Sequence, residues 1–224
     1  MMVMYFICIA TVLVGQLIQL PILGGVITDI VVPIYLGVWG VDTILKRRPL
    51  YVTSAIFLSL IFLLYAAFSL FVNVHELPVT SGIFGSFAYW VRLALYLGLL
   101  LPFTQMMYEN RERTIQLFLN TLIYTGLILA VMGFIQLVVV PDFSFMAKYG
   151  WDPHQGRLLA TWFDPNFLGG FLGMSLLAVL TRLLFYWDSQ ERPFMSWYSV
   201  RYLLFTTILT LALVLTFSRS ALLG

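Results

Sequence analysis

From Tyr51 to Val72 the chain runs the width of a membrane without one charged residue. A helix of about twenty apolar residues spans the hydrocarbon core, because lipid tolerates only segments that satisfy their own backbone polar groups. Applied along the chain, that ruler predicts seven spans: Met4–Leu20, Val26–Leu45, Tyr51–Val72, Phe84–Tyr108, Ile115–Val140, Asn166–Trp187 and Tyr202–Phe217. The second is interrupted by Asp29, Pro33 and Asp42. Composition agrees: 61% of residues are hydrophobic and only 10% charged, where soluble domains carry roughly half and a quarter. The expected fold is an all-α, polytopic transmembrane helix bundle. Cys8 is the single cysteine and can form no intramolecular disulfide. No basic region precedes the first apolar segment and no small-residue cleavage site follows it. It therefore reads as a retained helix rather than a signal peptide.

Basic residues orient the bundle, since short cytoplasmic loops collect Lys and Arg. Lys46, Arg47 and Arg48 follow span two, Arg111 and Arg113 follow span four, and Arg182, Arg192 and Arg201 flank the loop after span six. Alternating spans place all three groups on one side, expected to be the cytoplasm together with the N-terminus. The remaining four, Arg92, Lys148, Arg157 and Arg219, then gather toward the outer face. Residues 1–140 are expected to form a first block of helices. Residues 141–224 begin a second, which opens on an external loop at 141–165. After Ser220 the letters "ALLG" start another apolar run, so a fragment of a longer polypeptide is expected.

The candidate chemistry lies around the external loop. Asp164 is placed to cap span six, with Pro165 at the first helical position, where its missing N–H costs nothing. Asn166 follows in the first turn, and Gly169 and Gly173 give a small-residue face that lets another backbone approach. A capped helix with a packing face explains this stretch without chemistry. The arginines invite a second reading: an ionisable group inside the bilayer costs about 2.5–3.5 kcal/mol and usually faces a cavity, a partner or a substrate. Arg92 and Arg219 either snorkel to the headgroups or join Arg157 and the N–H groups opening span six in an anion site. Guanidinium forks match phosphate oxygens, and a helix N-terminus adds partial positive charge.

His75 and His154, in the outer loops, are each a possible general base or a solvated side chain. Phe143, Phe145, Tyr149, Trp151 and Trp162 suit either sugar stacking or an interfacial aromatic belt. No metal-ligand spacing, glycine-rich phosphate loop or nucleophile elbow occurs. No basic run resembles a nucleic-acid surface. No metal and no cofactor are expected.

Two stretches carry a resemblance: "R-x-x-A-T-W-F-D-P-N-F-L-G-G-F-L" from Arg157, and "L-T-F-S-R-S-A-L-L-G" to Gly224. In this order they are similar to the core of the O-antigen ligase/polymerase family, polytopic bacterial glycan ligases and polymerases. The match covers about the last third of the chain. It implies an enzyme of the bacterial inner membrane that moves a saccharide from a polyprenyl-diphosphate carrier to a glycan, lipid or protein acceptor at the outer face. It also implies that Arg157 and Arg219 hold the diphosphate, with Asn166 and Ser218 shaping their surroundings. The general base would lie in a large external loop further along, so this segment alone would lack it. Trp162, Asp164 and Ser220 depart from the pattern without removing a charge.

Two other readings compete. A transporter or flippase of lipid-linked or anionic sugars also needs positive charge in the membrane, and Asp29 and Asp42 in span two leave it room. It would line a path at mid-depth, however, and spans five to seven carry almost nothing ionisable there. A structural membrane subunit needs no site, and Arg92 is its main difficulty.

Overall fold

The computed structural model describes residues 2–20, 25–74, 81–189 and 197–223. His75 and Arg192 lie outside them. The helices are α1 (Met2–Ala10), α2 (Thr28–Leu45), α3 (Ser54–Val72), α4 (Ser81–Gly98), α5 (Leu100–Glu109), α6 (Arg111–Val139), α7 (Pro165–Ser189), α8 (Trp197–Leu215) and α9 (Arg219–Leu223). The strand content is one two-residue antiparallel pair, Gln19–Leu20 with Gly25–Val26, among the described residues. Six segments are long and apolar enough to cross a membrane: α2, α3, Gly82–Glu109 (α4 with α5), α6, Pro165–Phe185 and α8.

The first expected span is shorter than the ruler requires. Apolar helix covers only Met2–Leu13, its last turn 3₁₀, or about 18 Å at 1.5 Å per residue against a core of about 30 Å. Gly15 then turns into the left-handed region at φ +51°, and the chain leaves the helix. Span four is interrupted at Leu99 for a local reason. Pro102 has no N–H for the Gly98 carbonyl four residues back, so the ladder breaks between α4 and α5.

The chain divides into two compact units. One comprises Met1–Thr11 with Ile18–Ile115, the other Val12–Leu17 with Gln116–Gly224. The division falls inside α6, earlier than the expected boundary at residue 140.

The first unit is tied together by charge. Asp29, in the first turn of α2, accepts from Arg92 Nη2 at 2.7 Å, Tyr96 Oη at 2.6 Å and Val26 N at 2.8 Å. Arg48 bonds Glu109 at 2.8 Å, and Trp39 Nε1 donates to Gln105 Oε1 at 2.9 Å. Its apolar side chains point outward, with Leu64, Phe68 and Phe71 more than three-fifths exposed, as a lipid-facing surface requires. Every ion pair among the described residues lies in this unit.

The second unit packs more tightly. Ile123, Leu129, Leu158, Leu168, Leu172, Val179 and Leu209 are essentially inaccessible. Close approach rests on small residues in α6: a Cβ at Gly126 would strike Ser175, and one at Gly133 would strike Leu158.

Candidate functional site

The site lies where α7 begins and α8 ends, in the second unit. Asp164 caps α7: its Oδ1 accepts from Asn166 N at 2.7 Å and Phe167 N at 3.1 Å, and its carbonyl accepts from Leu168 N at 3.2 Å. Pro165 has no N–H to offer. The expectation that free N–H groups opening this helix would help bind an anion is thereby corrected. The carboxylate of Asp164 already occupies them and places a negative charge there.

At the other end of the corner, α8 stops at Leu215 and turns sharply through Thr216, Phe217 and Ser218 into α9. The carbonyls that end a helix have no partner within it. Here Arg157 supplies one, its Nε donating to Thr216 O at 2.9 Å and its Nη2 to Phe217 O at 3.1 Å. Leu158 N adds a bond to Leu215 O at 2.9 Å. A cation at a helix C-terminus is favoured by the helix dipole as well. Arg157 thus keeps its Nη1 edge uncommitted while its other edge holds the turn that leads to Arg219. Ser218 ties in the start of α7, its hydroxyl donating to Asn166 Oδ1 at 2.8 Å and accepting from Ala221 N at 3.2 Å. Two motifs some fifty residues apart in sequence meet through these bonds. Arg219 is exposed, and among the described residues it makes no hydrogen bond or ion pair.

Strain concentrates at the same place. Four non-glycine residues have positive φ among those described, and three of them are Ala160, Phe163 and Phe217, at 48°, 57° and 49°. Each costs roughly 1 kcal/mol or more, and such residues persist where their surroundings over-determine them. The surroundings do so here. Gln136 of α6 accepts from Leu159 N at 2.9 Å and donates to Val140 O at 3.0 Å. Thr161 Oγ1 and Trp162 Nε1 donate to Leu13 O and Val12 O at 2.9 and 3.0 Å, and Gln16 N donates to Thr161 O at 2.8 Å. Sequence reasoning missed Gln136 and gave Trp162 only a belt or a sugar to touch. The signal for Gln136 was there, a lone amide in the last turns of an otherwise apolar segment.

The glycines of α7 divide their work. Gly169 is buried, and a Cβ there would lie 2.6 Å from that of Ala221. Gly170 and Gly173 meet nothing within 4 Å. They line a cavity of about 540 Å³ that runs from Asn166 and Ser220 at its polar end to Met174, Leu177 and Leu222.

The external loop folds back on itself. An antiparallel bridge joins Asp142 and Gln155, Phe143 N donates to His154 O at 2.8 Å, and Gly156 N donates to Pro141 O at 2.8 Å. His154 is therefore held three residues before Arg157. Partial burial first, and then the positive charge of Arg157, push its pKa below the ordinary histidine value, while Asp152 and Asp164 pull the other way. The folded protein thus favours neutral imidazole, and the unfolded chain binds the proton first as pH falls. The stabilisation is complete above about pH 6.5 and is lost as pH drops through the folded-state value. Thermal unfolding of the wild type is expected to weaken more than that of His154→Gln between about pH 7 and pH 5. Equal slopes for the two proteins would remove the linkage.

Arg92 has a different setting. It belongs to the first unit, where Asp29 neutralises it at 2.7 Å and its guanidinium lies 5.1 Å from the Tyr89 ring centroid. An internal ion pair accounts for an arginine at that depth, a role that neither snorkelling nor substrate binding had supplied.

Fold and site together define an all-α, multi-pass membrane protein with an arginine-clasped turn beside a glycine-lined cavity. Comparison with protein-family models, with curated proteins and with solved structures finds no match for this chain.

Proposed function

We propose that this protein carries the diphosphate-holding core of a membrane glycan ligase or polymerase. It would transfer a saccharide from a polyprenyl-diphosphate carrier to an acceptor hydroxyl of a glycan, lipid or protein. The observation that carries this reading is the clasp of Arg157 on the Thr216–Phe217 carbonyls, which ties its motif to the turn bearing the exposed Arg219, unpaired among the described residues. No acidic side chain forms an ion pair with either arginine among the described residues, so both charges are open to an anion. The cavity lined by Asn166 and Ser220, the latter next to Arg219 in the chain, passes from a polar end to an apolar one, which suits a charged headgroup on a lipid.

In the proposed reaction the acceptor oxygen forms a bond to the anomeric carbon from the face opposite the leaving group. The carbon–oxygen bond to the diphosphate breaks, and its electron pair passes to the diphosphate oxygen. Guanidinium groups held in place before the reaction stabilise that developing charge at little reorganisation cost. The acceptor proton goes to a base, and His154, kept neutral near pH 7 and within the field of Arg157, is suited to take it. Arg92 is left out of the site because Asp29 already neutralises it.

The protein in liposomes, supplied with a polyprenyl-diphosphate-linked saccharide and an acceptor, tests this directly. Joined product supports the reading. Movement of the donor between leaflets without joining would replace it with a flippase.

The reading also sets a topology in the bacterial inner membrane, with residues 141–164 outside and 188–200 in the cytoplasm. Single cysteines in the two stretches are expected to react with an impermeant maleimide from outside only in the first. The reverse pattern would move the site to the cytosol. The N-terminus was expected in the cytoplasm on the count of a first crossing, and Met2–Leu13 is too short to count as one.

A further inference from the structure

One rim of the first unit carries positive charge that its own carboxylates do not answer. Arg48 Nη1 bonds Glu109 Oε1 at 2.8 Å, 61 residues away in sequence, and the Tyr51 and Tyr108 rings stack with centroids 4.0 Å apart. These contacts set the end of α2, and the stretch after it, beside the junction of α5 with α6. Thr114 Oγ1 fixes the start of α6 to the same junction, donating to Met106 O at 3.0 Å. Five cations are thereby gathered, Lys46, Arg47, Arg48, Arg111 and Arg113, against three carboxylates, Asp42, Glu109 and Glu112.

Two of those carboxylates are already taken. Asp42 pairs with Lys46 and lies 3.6 Å from Arg48, and Glu109 accepts from Arg48 and from the Gln105 amide. Glu112 forms no ion pair among the described residues and is one charge among three arginines. Arg47, Arg111 and Arg113 are exposed, and their side chains make no hydrogen bond or ion pair among the described residues. Arg47 follows the C-terminus of α2, where the helix dipole favours a cation. Arg111 and Arg113 open α6, where the dipole opposes one. Asn110 Oδ1 accepts from Arg113 N at 3.0 Å there, but a neutral amide brings no charge.

The level of the rim narrows what can supply the missing anion. Segments able to cross a membrane end at Leu45 and Glu109, and another begins at Arg111. Ile44, Leu45, Leu50, Val52 and Tyr108 are exposed among the cations. That mixture suits the boundary where basic side chains reach headgroups while their neighbours stay in hydrocarbon, and it does not suit a water-borne acidic partner.

We infer that Arg47, Arg111 and Arg113 form a docking rim for the headgroups of anionic phospholipids. The guanidinium groups meet phosphates in the headgroup layer, and the rim gathers several lipids instead of clasping one. Glycan transfer is not required for it.

Electron spin resonance of the reconstituted protein, with a trace of spin-labelled phosphatidylglycerol or phosphatidylcholine, tests it. In a phosphatidylcholine bilayer the wild type is expected to immobilise phosphatidylglycerol preferentially. Salt at about 1 M is expected to abolish the preference, because the Debye length falls to about 3 Å. Arg47→Gln, Arg111→Gln and Arg113→Gln are each expected to lower it by up to about fivefold, and the triple variant to lose it. Arg182, in the second unit and bonded to Gln116 O and Asn120 Oδ1, is the control, and Arg182→Gln leaves the preference unchanged. No preference in the wild type, a measurement that needs no variant to fold, overturns the proposal. So does a preference that survives in the triple variant or at high salt, or an equal loss in Arg182→Gln. Release of phosphatidylglycerol by soluble polyglutamate would give the rim to an acidic polypeptide and likewise overturn it.

Discussion

Replacing Arg219 by glutamine is expected to lower saccharide transfer by about a hundred- to a thousandfold while leaving thermal unfolding unchanged. The asymmetry follows from its setting. Arg219 is exposed and makes no hydrogen bond or ion pair among the described residues, so the fold has little to lose. Arg157 differs. Its Nε and Nη2 hold the Thr216 and Phe217 carbonyls at 2.9 and 3.1 Å, and Phe217 is in the left-handed region at φ 49°. Arg157→Gln is therefore expected to lower transfer and stability together, and Arg157→Lys to impair both, because an ammonium cannot reproduce the planar fork. Transfer rates in liposomes and unfolding midpoints in detergent, read on the same preparations, separate the two effects. An Arg219→Gln protein that transfers at the wild-type rate would end the diphosphate reading.

The second large effect is expected from a single methyl group. Gly133→Ala introduces a Cβ that collides with Leu158, a side chain with no accessible surface. Overpacking of this kind costs about 1–3 kcal/mol. Leu158 adjoins Arg157 and bonds Leu215 O through its own N–H, so displacing it also loosens the clasp. Gly37→Ala, in α2, is the control: nothing lies within 4 Å of its added Cβ. Helix propensity there favours alanine by up to about 1 kcal/mol. Opposite signs for the two substitutions, read as shifts in unfolding midpoint, are the expected outcome. A neutral Gly133→Ala would mean that α6 and Leu158 are not in contact as described.

How much of this was legible before the structure differs from residue to residue. Asp164 and Pro165 announce the start of α7 because a cap is local: its donors lie two and three residues on. That same local rule also shows why the helix N-terminus is not an anion site, since the cap consumes the donors. Span lengths were legible where the apolar run was uninterrupted, as in α3. They failed at Met4–Leu20, where Gly15 turns the chain and bonds from Thr161 and Trp162, about 150 positions away, take up the carbonyls of Leu13 and Val12. The pairing of Arg92 with Asp29 joins residues more than sixty positions apart, and nothing in hydropathy orders such a pair.

Periodic and compositional features, the apolar runs and the cap of α7, could be read from the chain itself, because each depends on neighbours in sequence or on the solvent alone. The clasp of Arg157 on the end of α8, the Ser218–Asn166 bond, the division of the glycines and the stacking of Arg201 on Tyr198 and Tyr202 came only with the tertiary structure. Depth along a helix is written in hydropathy. Rotation about the helix axis, which selects the side chains that meet, is decided by packing between segments far apart in the chain.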